Sequence, residues 1–212
     1  MNLPNKLTLF RIILVPIMVI VSFFDISGSF LGIPTTMWIL NLIFIIASIT
    51  DKLDGYLARK NNQVTTFGKF LDPIADKILV VTAMILLVEM GRLPAWIPII
   101  VIFREFVVSG YRLIAVQSEG KVIAANIWGK LKTVTQMLGI ICMFLTNHPY
   151  FAFVLRAKTE EEMLVNSALT YMSTGDFIMN IIASILITIS VIATVFSGYE
   201  YLKGGKDLLK DC

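Results

Sequence analysis

Two stretches of this sequence, residues 133–155 and 177–199, run for 23 positions each without a Lys, Arg, Asp or Glu. A helix needs about 20 predominantly apolar residues to cross the hydrocarbon core of a bilayer, so each stretch is long enough to span a membrane. Hydrophobic residues make up 57% of the 212 positions and charged residues 16%. Soluble domains have about 45–50% and about 25%, respectively. The composition therefore excludes an ordinary soluble domain and predicts a membrane protein.

Four more segments are apolar apart from a few charges. They cover residues 7–24, 36–58, 72–89 and 95–116. Gly28, Gly32 and Pro34 interrupt the apolar run before the second of these, so its helix is expected to begin near Thr36. We predict an all-α polytopic protein with six transmembrane helices, forming a single membrane domain over residues 1–212.

The distribution of Lys and Arg predicts the orientation in the membrane. With the N-terminus in the cytosol, 14 of the 18 basic residues fall on cytosolic ends of spans, three fall outside, and Arg104 lies within a span. The cytosolic group is Lys6, Arg11, Lys52, Arg59, Lys60, Lys69, Lys77, Arg112, Lys121, Lys130, Lys132, Lys203, Lys206 and Lys210. The positive-inside rule then places both termini in the cytosol, in a multi-pass protein of the cell (plasma) membrane. No soluble basic domain is predicted, so no nucleic-acid partner is expected.

Four aspartates cluster around the connection between the second and third predicted spans. Asp51 and Asp54 are three residues apart and Asp72 and Asp76 are four apart, so each pair shares a helix face. A short connection makes the two helices antiparallel neighbours, which brings the carboxylates to one level. The small residues Gly55, Ala58 and Gly68 lie on or beside this face and allow a ligand, or equally another helix, to approach closely.

Four carboxylates at the membrane boundary repel one another unless cations offset them. Oxygen ligands favour Mg²⁺ or Mn²⁺, and paired divalent ions are recurrent in phosphoryl chemistry. A structural alternative is that Asp51 and Asp72 are helix caps, with Pro73 as the first residue of the helix after Asp72, and that Asp76 pairs with a lysine. A divalent-cation transporter is the other functional alternative, although transporters place ion sites near mid-membrane between repeats.

Read together, these residues form the pattern Asp51-x2-Asp54-Gly55-x2-Ala58-Arg59-x8-Gly68-x3-Asp72-x3-Asp76. It resembles, without a departure, the signature of the CDP-alcohol phosphatidyltransferase family. The resemblance implies six transmembrane helices, a homodimer, a polar cavity open to the cytosol, and attack of an alcohol on CDP-diacylglycerol with release of CMP. It also implies two Mg²⁺ or Mn²⁺ ions held by Asp51, Asp54, Asp72 and Asp76, with Asp76 as general base. Gly55, Ala58 and Gly68 would then line the cytidine pocket, and Arg59 would contact the diphosphate.

The acceptor alcohol must be inferred from other residues. Arg104 and Arg112 are eight positions apart, about 80° around a helix, and can face one cavity. Lys130 and Lys132 open the fifth span near the same level, so these four residues are candidates for binding an acceptor phosphate. Alternatively, Arg104 pairs with Glu105 or a distant aspartate, and the lysines are membrane anchors.

The N-terminal segment contains three polar residues at every third position, Asn5, Thr8 and Arg11. They share one helix face and are candidates to reach the diphosphate, although an amphipathic cytosolic lead-in is equally compatible. The residues flanking the signature resemble the members of the family that use sn-glycerol 3-phosphate as acceptor. Inositol phosphate, serine and phosphatidylglycerol are the acceptors of other members and stay as alternatives.

Overall fold

The computed structural model describes residues 3–24, 26–60, 66–118, 127–152 and 174–204. Within these ranges, side chains are described at residues 6–24, 26–51, 71, 74–111, 127–152 and 174–203. This part of the chain contains six helices and one two-stranded antiparallel hairpin. They are, in order, α1 (Leu3–Ser22), β1 (Ser29–Phe30), β2 (Ile33–Pro34), α2 (Thr35–Lys60), α3 (Thr66–Glu89), α4 (Trp96–Ser118), α5 (Ile127–Phe144) and α6 (Thr174–Gly204).

The helices coincide with the six apolar segments, but several of their ends differ from the predictions. α2 begins at Thr35, as the glycines and the proline before it predicted. The residues between Gly28 and α2 form the β1–β2 hairpin, in which Phe30 pairs with Ile33. This hairpin was not predicted. α5 ends at Phe144, earlier than residue 155, because the chain turns at residues 145–150.

The third helix begins at Thr66, six residues before Asp72. Asp72 and Pro73 therefore lie inside α3, as Asp51 lies inside α2, and the interpretation of Asp51 and Asp72 as helix caps is wrong. Pro73 has no N–H to donate, so the helix lacks one backbone hydrogen bond at this point, yet it continues on both sides of the proline. The signature aspartates of α3 thus sit on a helix that already projects beyond the apolar segment.

The core lies where α1, α2, α3, α5 and α6 meet. Met18, Leu40, Phe44, Leu87 and Ile187 belong to one buried cluster contributed by four of these helices. The most extensive helix contacts join α5 to α6 and α1 to α2, while α4 packs mainly on α6. This arrangement puts α1, α2, α3, α4 and α5 around the polar residues described below.

Many large apolar side chains point away from this core. Phe103 and Phe106 on α4 are 70% and 74% exposed, and every described helix carries similar residues. So many exposed large apolar side chains are unusual on a soluble monomer and are typical of surfaces that meet lipid or another protein. By length and composition, one helix in the described part of the chain is a membrane-span candidate, Thr174–Lys203, and a shorter apolar helix covers Thr35–Asp51. The count of six spans stays a prediction.

The end of the bundle that is predicted to face outward is held by hydrogen bonds between loops. Arg92 Nη2 donates to Asn147 Oδ1 at 3.3 Å, and Asn147 Nδ2 donates to the Gly32 carbonyl at 2.6 Å. Burial lowers the pKa of Arg92 to about 10, while the nearby Asp176 raises it, so the guanidinium stays charged at neutral pH. The β1–β2 hairpin, the α3–α4 loop and the loop after α5 are thereby joined at the end opposite the site.

Candidate functional site

A buried ion pair joins the first two helices. Arg11 on α1 has no exposed surface, and its Nη1 lies 2.5 Å from Asp51 Oδ1 on α2. Thr8, three residues earlier on the same helix face, is also buried. A guanidinium is placed in such a position at a large desolvation cost, which only a well-paired anion offsets. This burial contradicts the alternative of an amphipathic lead-in at the cytosolic surface.

Asp76 on α3 lies near two groups of charges. Its carboxylate interacts electrostatically with Asp51 and Arg11 of the first two helices and with Glu105 and Lys132 of α4 and α5. It also lines a cavity of about 50 Å³ together with Lys77, Glu105 and Lys132. A single water needs roughly 10–15 Å³ of such space, so the cavity has room for several waters or a compact polar group. Asp76 is thus the residue that connects the Arg11–Asp51 ion pair to the charged residues of the cavity.

Glu105 on α4 gathers cations from three helices. Its Oε1 accepts from Arg104 Nη1 at 2.8 Å and from Lys132 Nζ of α5, while Lys77 Nζ of α3 lies 3.4 Å from its Oε2. Lys132 is buried and Lys77 is half-buried. The alternative that Arg104 pairs with Glu105 is therefore confirmed as a contact, and Lys132 is not a surface anchor.

Arg104 is held from its other side by α6. Its Nη2 donates to Ser197 Oγ at 2.5 Å, and its guanidinium carbon lies 6.0 Å from the centre of the Tyr201 ring. Gly198 lies beside the Arg104 side chain on the same stretch of α6, and a Cβ there would be in ordinary van der Waals contact with Arg104 Cγ, at 3.4 Å. Glu105 on α4 and Ser197 and Tyr201 on α6 thus fix the direction of the Arg104 guanidinium.

The structure brings together six of the predicted site residues and leaves others undescribed. Thr8, Arg11, Asp51, Asp76, Arg104 and Lys132 lie around the two charge groups, and Lys130 is exposed at the start of α5. Eight more lie on the described helices with side chains outside the described set, namely Asn5, Asp54, Gly55, Ala58, Arg59, Gly68, Asp72 and Arg112. Among described side chains, no three acidic, histidine or cysteine groups converge as a metal site, and the predicted metal set is represented by Asp51 and Asp76.

Two residues of the site, Lys77 and Glu105, were not assigned to it from the sequence. Lys77 follows Asp76 directly and was counted only among the cytosolic basic residues. Glu105 was considered only as a partner for Arg104, although a carboxylate within a predicted span is costly enough to signal a site. Ser109 and Ser197, which accept from the cluster, have no sequence signal of their own.

Comparison with known families identifies the class of protein. The model of the CDP-alcohol phosphatidyltransferase family matches residues 1–196, and the chain belongs to this family. The resemblance seen in the signature is thereby confirmed over nearly the whole chain.

Individual relatives carry a more specific name. The chain is 40% identical to a CDP-diacylglycerol–glycerol-3-phosphate 3-phosphatidyltransferase of Bacillus subtilis, across 99% of this chain and 97% of that protein. A protein of the same name from Haemophilus influenzae is 38% identical, across 99% and 96% of the two chains. A third from Rickettsia typhi is 32% identical over 97% of each.

Proposed function

We propose that this chain is a phospholipid-synthesising transferase that moves the phosphatidyl group from CDP-diacylglycerol to sn-glycerol 3-phosphate, giving phosphatidylglycerophosphate and CMP. The names of its full-length relatives support this reaction. The observation that carries it is the cavity shared by the Asp76 carboxylate and the Lys77 and Lys132 ammonium groups. A proton acceptor beside cations is what a phosphorylated alcohol needs when it acts as a nucleophile.

In the proposed reaction, a hydroxyl oxygen of the acceptor attacks the β-phosphorus of CDP-diacylglycerol. A new P–O bond forms to the acceptor, the P–O bond to CMP breaks, and the hydroxyl proton passes to Asp76 as general base. Phosphoryl transfer depends mainly on positioning and charge neutralisation. The Arg11–Asp51 pair on one side of Asp76 and the Glu105 group on the other supply charges of both signs around it.

We further propose that Asp51, Asp54, Asp72 and Asp76 hold two Mg²⁺ or Mn²⁺ ions. The carboxylates of Asp51 and Asp76 are close enough to repel each other electrostatically. Their oxygen atoms are the kind of ligand that hard divalent cations prefer. When bound, such ions offset the carboxylate charges and polarise the diphosphate of the substrate. The role of this chain's own residues is to hold these oxygen donors on two neighbouring helices, α2 and α3.

The nucleotide lipid is assigned to the α1–α2–α3 side of the site. The proposed contacts are Asn5, Thr8, Arg11, Gly55, Ala58, Arg59 and Gly68. What supports this side is the burial of Thr8 and Arg11 on the face of α1 that meets Asp51. Arg11, already directed at the aspartates, carries the charge that a diphosphate oxygen requires.

The acceptor phosphate is assigned to the α4–α5 side, with Arg104, Arg112, Lys130 and Lys132 as its proposed contacts. Lys132 is buried beside the Asp76 cavity, which supports its role, and Arg104 belongs to the same charge group. We place the active site on the cytosolic side of a multi-pass protein in the cell membrane and propose a homodimer. The exposed apolar faces of the helices support embedding in lipid.

Purified protein with CDP-diacylglycerol and Mg²⁺ or Mn²⁺ tests the reaction directly. We expect CMP release that depends on sn-glycerol 3-phosphate and on the divalent ion. Little CMP should be released when inositol phosphate, serine or phosphatidylglycerol replaces sn-glycerol 3-phosphate as the acceptor. A preference for one of those acceptors would refute the assigned substrate but keep the chemistry. Divalent-ion flux in proteoliposomes without CMP release would favour a transporter instead.

Replacing the proposed base gives a residue-specific test. Asp76→Asn keeps the size of the side chain but removes proton acceptance, so turnover should fall by about 10²–10⁴-fold. The matched control Glu89→Gln changes one exposed carboxylate at the other end of α3 and should leave turnover unchanged. Binding of CDP-diacylglycerol should survive in Asp76→Asn, and loss of that binding alone, with normal turnover at saturation, would contradict the base role.

A further inference from the structure

We infer that Glu105 is a positioning residue that assembles Lys77, Arg104 and Lys132 into one cradle for the phosphate of the acceptor, with Lys77 as a member of that cradle. This inference rests on the proposed function. It starts from an arrangement in which one carboxylate contacts three cations on α3, α4 and α5. A stabilising ion pair would need one cation, and even with Asp76 near Lys132 the cluster keeps more positive than negative charge, which suits another anion.

The charge of the cluster favours an anionic acceptor. Lys77, Arg104, Lys132 and Glu105 leave a net charge of two positive units, and the Asp76 carboxylate in the same cavity reduces the excess to one. A phosphate monoester carries about −1.5 to −2 at pH 7 and offsets this excess. An acceptor without a phosphate would leave the excess positive charge unmatched in a half-buried site, which disfavours its binding.

Two of the cations also donate hydrogen bonds to serine hydroxyl groups. Lys77 Nζ donates to Ser109 Oγ at 2.5 Å, and Arg104 Nη2 donates to Ser197 Oγ at 2.5 Å. Together with Glu105, these hydroxyls hold each long side chain from two directions. Such preorganisation lowers the entropy lost when a ligand binds.

The position of the cluster relative to Asp76 completes the argument. Asp76, Lys77, Glu105 and Lys132 line the same cavity of about 50 Å³. A phosphate held by Lys77 and Lys132 there leaves the alcohol end of the acceptor on the Asp76 side. Glu105 acts through the cations, and it is not required to contact the acceptor itself.

The decisive experiment compares Michaelis constants in the Glu105→Gln variant. Loss of one charge-assisted contact changes affinity by roughly tenfold or more, so KM for sn-glycerol 3-phosphate should rise about tenfold while KM for CDP-diacylglycerol stays within about twofold. The inhibition constant of inorganic phosphate, competing with sn-glycerol 3-phosphate, should rise by the same factor. Glu200→Gln, an exposed carboxylate on α6, is the matched control and should change neither constant.

Lys77→Gln provides a second variant that decides the matter if Glu105→Gln does not fold. It should also raise KM for sn-glycerol 3-phosphate selectively, and the double variant should be less impaired than the product of the two single effects. Glu105→Asp, which keeps the charge, should recover part of the lost affinity.

Three results would overturn the inference. They are an equal rise of both Michaelis constants in Glu105→Gln, a lower KM for sn-glycerol 3-phosphate because the carboxylate had competed with phosphate, and an unchanged KM in Lys77→Gln. Failure of the proposed function is distinguishable, because the unmodified protein itself would then release no CMP in response to sn-glycerol 3-phosphate.

Discussion

Arg11 is the largest side chain without exposed surface in the described part of the chain, ahead of Phe44 and Phe144. Such a buried charge needs nearby anions, and Asp51 lies against it while Asp76 interacts with it electrostatically. Asp51 itself remains 28% exposed. The pair therefore combines a structural role between α1 and α2 with a position in the proposed nucleotide site.

Replacing Arg11 by methionine should reveal both roles. The Arg11→Met variant removes the guanidinium that Asp51 contacts. We expect the free energy of unfolding to fall by about 2 kcal/mol. This is less than the roughly 3–5 kcal/mol lost when a fully buried pair is broken, because Asp51 is partly exposed. Thermal unfolding in detergent measures this loss. KM for CDP-diacylglycerol should rise as well.

Lys6→Met is the matched control for that experiment, since Lys6 is an exposed cation on the same helix. It should change the unfolding temperature and KM only slightly. Equal effects of the two substitutions would show that the burial of Arg11 has no energetic importance.

At the scale of the elements, the closest packing lies between α5 and α6. A Cβ added at Gly139 would come within 2.8 Å of Ile187 Cδ1 and 3.2 Å of the Ile187 backbone nitrogen. The side chain of Ile187 can rotate, but the backbone of α6 cannot yield without moving the helix. Small residues at such contacts allow membrane helices to approach closely, and Gly139 therefore sets the distance between α5, which carries Lys132, and α6, which carries Ser197.

Gly139→Ala tests this packing. Overpacking of a tight contact typically costs about 1–3 kcal/mol, so we expect a lower unfolding temperature in detergent. Gly110→Ala on α4 is the control, since no atom lies within 4 Å of the position that its Cβ would take. That substitution should be neutral or stabilising by up to about 1 kcal/mol, because alanine is the better helix former. A lower unfolding temperature in Gly110→Ala alone would contradict the packing argument.

At the scale of the whole molecule, polar groups separate toward the two ends of an apolar bundle. The charge groups around Asp76 and Glu105 lie toward one end, and the Arg92–Asn147 contacts join the loops at the other. Between them, the exposed surface is rich in large apolar side chains such as Ile99. This distribution favours a bilayer around the middle of the bundle, with the site on the side that carries most of the basic residues.

Cysteine labelling tests the proposed orientation. In a background with Cys142→Ser and Cys212→Ser, Ala95→Cys marks the α3–α4 loop and Lys203→Cys marks the end of α6, both at exposed positions. A membrane-impermeant maleimide should label Ala95→Cys in intact spheroplasts and Lys203→Cys only after permeabilisation. The reverse pattern would invert the topology and place the proposed site outside the cell.

The sequence alone predicted the positions of the helices, because long apolar runs have few alternatives in a membrane protein. It predicted the beginning of α2 from Gly28, Gly32 and Pro34, but it misplaced the beginning of α3. The first turns of α3 include several polar residues, and hydrophobicity carries little information about where a helix begins in such a segment. The β1–β2 hairpin was missed for a similar reason, since two-residue strands leave no periodic pattern.

For the site, the sequence determined the aspartate pattern and hence the family, since four carboxylates at helical spacing within 26 residues are a local property of the chain. Only the tertiary structure decided that Arg11 is paired with Asp51 and that Glu105 collects Lys77, Arg104 and Lys132. Three helices supply those cations. Which of many membrane-boundary charges meet depends on how the helices pack and rotate against one another, and the spacing of residues along a single helix does not encode that.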